Sequence, residues 1–265
     1  MSKRTHKQQL QRARQRRRTD KFERRRRRTR LIALIAAGLM AFSLVGLALV
    51  NIVGAGQDAP AVEDVPDDGQ AAGGDAEACP PADDAPEPEP MEFPGEPELQ
   101  IDTDATYVAT VDTTCGEILF ELDAAGAPRT VNSFVFLAQE GYFAGAPFHR
   151  VIPGFVIQGG DPTGTGAGGP GYTFDDELEL AEEVVAEEGG YPRGKVVMAN
   201  AGPDTNGSQF FVTLDDLGER LPPAYALFGE VIDGMDVVDR IASGPTQGEM
   251  AVDPVRIRSV TIDAS

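Results

Sequence analysis

Hydrophobic positions follow three different patterns along this chain. From Leu31 to Val53 they are continuous: 23 residues carry no charge, and Ser43 and Asn51 are the clearly polar ones. From Gly54 to about Gln100 they have no period, scattered among dense Pro, Asp, Glu, Ala and Gly. Beyond residue 101 they become periodic. Tyr107, Ala109 and Val111 alternate with polar neighbours, and so do Ile118, Phe120 and Leu122 past a turn at Cys115-Gly116. Alternation of that kind predicts a β-hairpin. Pro128 opens a helix, where its missing N–H costs nothing, and Val131, Phe134, Val135 and Ala138 form its apolar stripe. Further strands are expected at Phe155–Gln158, Lys195–Ala199, Gln209–Leu214 and Leu227–Ile232, with a last one from Val255 to Ile262. Met235, Val238 and Ile241 mark a second, short helix. Many short strands and two helices predict a mainly β domain over 101–265, an antiparallel barrel with capped ends.

Charge changes the picture of the first hundred residues. The chain carries 23 Lys+Arg against 43 Asp+Glu, but residues 1–30 hold 15 of the basic groups and two acids, Asp20 and Glu23. Such asymmetry speaks of partners and membranes rather than of fold. The run Arg24–Arg28 could by itself suggest nucleic acid. Its neighbour points elsewhere, because 23 apolar residues in a helix span a hydrocarbon core of about 30 Å. Positive charge packed against the N-terminal end of that segment predicts the tail inside and all that follows outside. The expected layout is a basic cytoplasmic tail (1–30), a single transmembrane helix (31–53), an acidic Pro-rich disordered linker (54–100) and one domain (101–265). Nucleic-acid binding is not expected. A cleavable signal is the rival reading, since Val53-Gly54-Ala55 has the small residues a signal peptidase prefers; the long apolar stretch favours a retained anchor. The linker cannot bury enough apolar surface to offset its ordering entropy, so it reads as a stalk.

Candidate chemistry is sparse. The two histidines are His6, in the tail, and His149. No Ser-His-Asp or Cys-His arrangement can be assembled, no zinc spacing is present, and no metal or cofactor is expected. Gly164, Gly166 and Gly169 satisfy a dinucleotide fingerprint, but Pro170-Gly171 follows at once and no βαβ unit surrounds them, so they read as a loop. Cys79 and Cys115 are the two cysteines. Outside a membrane such a pair invites a disulfide, while free thiols or an intermolecular link are the alternatives. One stretch stands out: Phe148 to Asp161 places Arg150, Phe155 and Gln158 along a mostly extended apolar segment bent at Pro153-Gly154. Arg150, Val156 and Gln158 share one parity and so one face. A guanidinium there is either a structural ion paired with a carboxylate or a working group.

A second stretch, Met198 to Thr213, reads Met-Ala-Asn-Ala-Gly-Pro-Asp-Thr-Asn-Gly-Ser-Gln-Phe-Phe-Val-Thr. With the first, and with Leu227-Phe228-Gly229-Glu230-Val231 at the expected later position, it resembles the cyclophilins, the peptidyl-prolyl isomerases sensitive in many cases to cyclosporin. The likeness covers roughly Ala105 to Ile262. It implies a closed eight-stranded antiparallel β-barrel capped by two α-helices, and cis/trans isomerisation of X-Pro bonds in protein segments. That activity suits a chain without a proton-transfer constellation, because rotation breaks no bond. It faces a barrier of about 18–20 kcal/mol, and a catalyst need only bind the twisted amide better than the planar forms.

The resemblance assigns Arg150 as the catalytic residue. It places Phe155, Val156, Phe211 and Leu221 around the proline ring, and Gln158 and Asn200 on the substrate backbone. Ala199, Ala201, Gln209 and Tyr225 fall at further groove positions. His149 reads as structural support. There are departures: Val156 stands where many family members carry Met, Tyr225 where a His is often found, and Arg220 where a Trp often contacts cyclosporin. The chain has no Trp. Tight cyclosporin binding is therefore not expected, whereas catalysis is. The acidic run Glu177–Glu188 reads as an insertion near the groove rim. The reading is a membrane-anchored isomerase acting outside the cell membrane on Pro-containing segments of secreted or membrane proteins. The competing reading is a Pro-peptide-binding chaperone or scaffold in which isomerisation is incidental.

Overall fold

The computed structural model describes residues 78–265. The basic tail, the predicted span 31–53 and the first part of the linker lie outside the described residues. Among the described residues no helix is long and apolar enough to cross a membrane.

The chain runs from β1 (Tyr107–Thr113) and β2 (Gly116–Leu122) into α1 (Pro128–Gln139), then β3 (Arg150–Ile152) and β4 (Val156–Gly159). There follow α2 (Glu179–Glu188), β5 (Lys195–Met198), β6 (Phe210–Thr213), a 3-10 turn (Gly218–Arg220), β7 (Leu227–Asp233) and α3 (Met235–Ala242). A two-residue hairpin, β8 (Thr246–Gln247) and β9 (Met250–Ala251), precedes β10 (Ile257–Ala264). The alternating positions of the sequence do what their period requires: Ala109, Val111, Ile118 and Phe120 are all fully buried. Phe210 occupies the centre of the core, its ring within about 6 Å of Phe120, Phe134, Phe143 and Phe148.

All strand pairs are antiparallel, in the order β10-β1-β2-β7-β5-β6-β4-β3-β9-β8. The closed eight-stranded barrel expected from the sequence is corrected on two counts. The described residues form ten strands, and the end strands β10 and β8 do not pair. The hairpin β8–β9 takes the free edge of β3. Between β10 and β3 the contact is instead a short crossing: Phe148 N donates to Val255 O (2.9 Å), Ile257 N donates to Ala146 O (3.0 Å), and Pro147 bridges Arg256. Pro147 and Pro254 have no N–H to give, so a ladder cannot run through this crossing.

A third helix forms where an acidic insertion was expected. Leu180, Ala181, Val184 and Val185 have helical spacing, and Gly189 ends α2 in the left-handed conformation, its N–H donating to Val185 O. Just before it, Glu177 accepts from Arg129 N (3.1 Å), Thr130 N (2.9 Å) and Thr130 Oγ1 (2.8 Å). Helix α1 has no side-chain cap of its own. The Glu177 carboxylate supplies one and complements the positive end of the helix dipole.

The disordered linker expected as far as residue 100 is also corrected, because the chain from residue 78 is laid against the domain. Cys79 is joined to Cys115 in a disulfide with 4.8 Å between Cα atoms. Arg258 pairs with Asp84 (2.6 Å), and Arg129 pairs with Glu96 (2.6 Å). Phe93 stacks edge-on to Phe136 at 5.0 Å while its N–H donates to Pro170 O (2.8 Å). Asn132 accepts from Gln100 N and donates to Glu98 O. Few apolar groups suffice for this because the prolines and the covalent tie lower the entropy lost on docking.

Candidate active site

The strands that carry the site have two unlike faces. Val151, Ile157, Phe210, Val212 and Val196 belong to the core cluster. Their neighbours Arg150, Gln158, Phe211 and Val197 do not; they lie directly opposite one another across β3, β4, β6 and β5. The outward row is a consequence of strand parity, and it assembles residues separated by up to 61 positions in sequence.

Arg150 is tied at two edges of its guanidinium. Nε donates to Glu249 Oε2 at 2.8 Å, and Nη1 donates to Gln158 Oε1 at 3.2 Å. Arginine has no acceptor, so Gln158 must turn its carbonyl oxygen to it and its NH₂ away. That NH₂ donates to Gln209 Oε1 (3.0 Å), and Gln209 in turn donates through Nε2 to Gly166 O (3.0 Å) and Gly168 O (2.9 Å). One orientation of each amide satisfies the whole line. Glu249 is the carboxylate that a structural reading of Arg150 requires, yet the pair sits on the outer face, with Arg150 still 20% exposed.

The line ends on the glycine-rich loop, and Asp161 holds that loop. Its carboxylate, fully buried, accepts from Thr163 N, Thr163 Oγ1, Gly166 N and Gly168 N at 2.7–3.0 Å. Burial opposes its ionisation, but these hydrogen bonds outweigh burial and keep its pKa below the ordinary value. A Cβ on Gly168 would meet Asp161 Oδ1 at 2.0 Å. Gly166, one of the glycines that imitate a dinucleotide fingerprint, and its neighbour Gly168 thus let backbone amides close on an internal carboxylate.

The apolar members lie beside this line. Phe211 and Tyr225 meet edge-on at 5.9 Å, and both are buried, as are Val156 and Leu221. Burial raises the Tyr225 phenol, with the nearby Arg150 charge pulling the other way. Phe155 is half-buried under Arg220, whose Cζ is 5.8 Å from the ring centre and whose Nη1 donates to Gly154 O (3.0 Å). Ala199 N donates to Gln209 O (2.9 Å). Ala201 is exposed, its N–H donating to Thr205 Oγ1. The Asn200 side chain is engaged at both ends within the protein: Nδ2 donates to Ala224 O (3.0 Å), and Oδ1 accepts from Gly202 N (3.2 Å). It ties the 200–202 turn to Ala224, the residue before Tyr225. His149, one residue before Arg150, points the other way and is buried; neither ring nitrogen has a hydrogen-bond partner among the described residues. Burial holds it below the ordinary histidine value, the Asp161 charge opposing.

The structure therefore brings Arg150, Gln158, Gln209, Phe211 and Tyr225 together, with Phe155, Val156, Leu221 and Asn200 at their flanks. Sequence reasoning missed Glu249, whose two-residue strand neighbours carry no readable period, and Asp161, whose role depends on loop closure. Helix α2 lies elsewhere: Leu180 and Val184 line a cleft with Glu121, Leu122 and Leu227.

Comparison with known proteins places the chain among relatives of one family. A family model described as cyclophilin type peptidyl-prolyl cis-trans isomerase/CLD matches residues 108–262. Peptidyl-prolyl cis-trans isomerase A of Mycobacterium tuberculosis is 44% identical over 180 residues, covering 60% of this chain and 93% of the relative. Human peptidyl-prolyl cis-trans isomerase-like 1 is 44% identical over 151 residues, covering 56% and 87%. A solved cyclophilin type isomerase of Cryptosporidium parvum superposes with a TM-score of 0.54 at 34% identity, covering 60% of this chain and 99% of that one. A second structure of that protein, in the presence of the dipeptide Ala-Pro, gives 0.53 at 36%.

Proposed function

Because the chain belongs to the cyclophilin-type peptidyl-prolyl cis-trans isomerase family, we propose that its isomerase activity is carried by the outward row centred on Arg150. The chain is a peptidyl-prolyl cis-trans isomerase. As an X-Pro bond twists, amide resonance is lost and the prolyl nitrogen regains its lone pair. An N–H of the Arg150 guanidinium donates to that nitrogen, an interaction absent from either planar form, so it stabilises the transition state selectively. The proline ring sits against Phe211, Val156, Leu221, Tyr225 and Phe155. Gln158 and Gln209 hold the substrate backbone on one side of the bond, with Asn200 fixing the groove wall, and the other side is free to rotate. Proline-containing peptides are the ligand class, as the Ala-Pro dipeptide used with the solved relative suggests.

The observation that carries this reading is the two-edged tether of Arg150, which pre-sets a donor at the outer face before substrate arrives. Prolyl isomerisation of a short X-Pro peptide by the full chain, beside its Arg150→Ala variant, tests it. The expected loss is about 10²–10³ in kcat/KM, the scale for removing one transition-state donor. Two folded proteins that bind the peptide equally and accelerate nothing would shift the reading to a binding module.

The setting of the activity follows from the sequence. The apolar segment 31–53 with its basic flank supports a single-pass anchor with the domain outside, and the Cys79–Cys115 bridge suits an oxidising compartment. Clients are then secreted or membrane proteins passing through slow prolyl steps of folding. Arg220 lies over Phe155 where a Trp often contacts cyclosporin in the family, so weak cyclosporin binding is part of the proposal.

A further inference from the structure

The strand register carries the site one step past Arg150. Directly opposed residues run Val197, Phe211, Gln158, Arg150, Met250, Gln247 across β5, β6, β4, β3, β9 and β8. The hairpin β8–β9 is therefore part of the same surface. Its turn passes through Gly248 at φ 66°, a left-handed conformation that glycine adopts without strain. The residue after the turn is Glu249, and its carboxylate reaches Arg150 Nε at 2.8 Å.

We propose that Glu249 is a positioning residue for the isomerase reaction, fixing the plane of the Arg150 guanidinium; this rests on the reading of Arg150 as the catalytic donor. Three observations carry it. First, the contacts on Nε and Nη1 come from different elements, Glu249 on the hairpin and Gln158 on β4, so together they remove rotation about the last bonds of the side chain. Nη2 has no partner among the described residues and is the edge left for the substrate. Gln158 alone is a single neutral acceptor at 3.2 Å, a weaker hold than a charged one. Second, the side chain of Glu249 is not needed to dock the hairpin. Its backbone carbonyl accepts from Val151 N (2.8 Å), and Ala251 N donates to His149 O (3.0 Å). Third, Glu249 is the more exposed partner, at 47% against 20% for Arg150. A pair so open to water contributes little to fold stability, so its effect falls on the orientation of Arg150.

The test is a double-mutant cycle in the full chain, reading kcat and KM for an X-Pro peptide and the denaturation midpoint of each variant. Glu249→Ala is expected to lower kcat about three- to tenfold, with KM changed less than about twofold and the midpoint unmoved. Glu249→Gln, which keeps an acceptor without the charge, is expected to fall between wild type and Glu249→Ala. In an Arg150→Ala background the same Glu249→Ala change is expected to add no loss, because the group it positions is gone. An unchanged kcat in Glu249→Ala, or an equal loss in both backgrounds, overturns the inference while leaving the role of Arg150 intact. Full activity in Arg150→Ala alone removes the underlying reading, and this one with it.

Discussion

Phe210 and Phe211 are neighbours on one short strand, both buried, yet they belong to different parts of the molecule. Phe210 packs against four core rings, whereas Phe211 meets Tyr225 and stands opposite Gln158. The same division runs through β3 and β4, where Val151 and Ile157 join the core and Arg150 and Gln158 face outward. Burial alone thus fails to separate scaffold from site. The partners do, and strand parity assigns them. A site built this way borrows rigidity from the core one residue away while its own groups stay clear of it.

The contrast is broken most strongly at Phe210. Phe210→Ala is expected to cost about 3–5 kcal/mol of stability, the range for deleting a core aromatic, read from chemical denaturation. Phe211→Ala is expected to show its main effect as a raised KM for an X-Pro peptide. Equal destabilisation by both with KM unchanged would erase the distinction between the two faces.

The strap, residues 78–100, offers a different comparison, since its disulfide joins Cys115 at the β1–β2 turn and not a residue of the Arg150 row. Replacing Cys79 and Cys115 by Ser frees a loop with a sequence separation of 36. The expected loss is about 2–4 kcal/mol, with kcat/KM held within about twofold. A matching fall in kcat/KM would show that the strap supports the site after all.

The smallest effect sharpens the comparison at adjacent residues, His149 inward and Arg150 outward. His149 is buried and favoured neutral, so its folded pKa lies below the ordinary 6.5. The folded state then binds fewer protons than the unfolded state. Its stabilising contribution is present above 6.5 and is lost as pH falls through the folded value. Denaturation midpoints followed downward from neutral pH are expected to decline in wild type and to decline less in His149→Gln. Asp161 acts in the same sense at lower pH, below its ordinary 3.8, where protonation releases the loop that holds Gln209. Asp176, raised by burial, has the opposite sign: its contribution is present below 3.8 and is lost as pH rises through its folded value.

Much of this was legible in the sequence. Alternation at 107–111 and 118–122 placed the first hairpin, and the helical stripe from Val131 to Ala138 placed α1, because those periods are local properties of the chain. The segments Phe148–Asp161 and Met198–Thr213 hold most of the residues proposed for the site, so the candidate could be drawn from two runs. What was missed depends on distance. The strap could not be seen because its order comes from contacts such as Phe93 with Phe136 and Asp84 with Arg258, not from any period of its own. Helix α2 was hidden by its acidic composition.

By itself the sequence determined the fold family and the alternation that sends Arg150, Gln158 and Phe211 to one face. The tertiary structure decided which edges of Arg150 are held, that Glu249 holds one of them, that Asp161 shapes the loop behind Gln209, and that the sheet ends in a hairpin rather than closing. The reason is geometric. Periodicity encodes which way a side chain points, but pairing between strands sets what it meets. Arg150 and Glu249, 99 residues apart, meet only because β9 lies alongside β3.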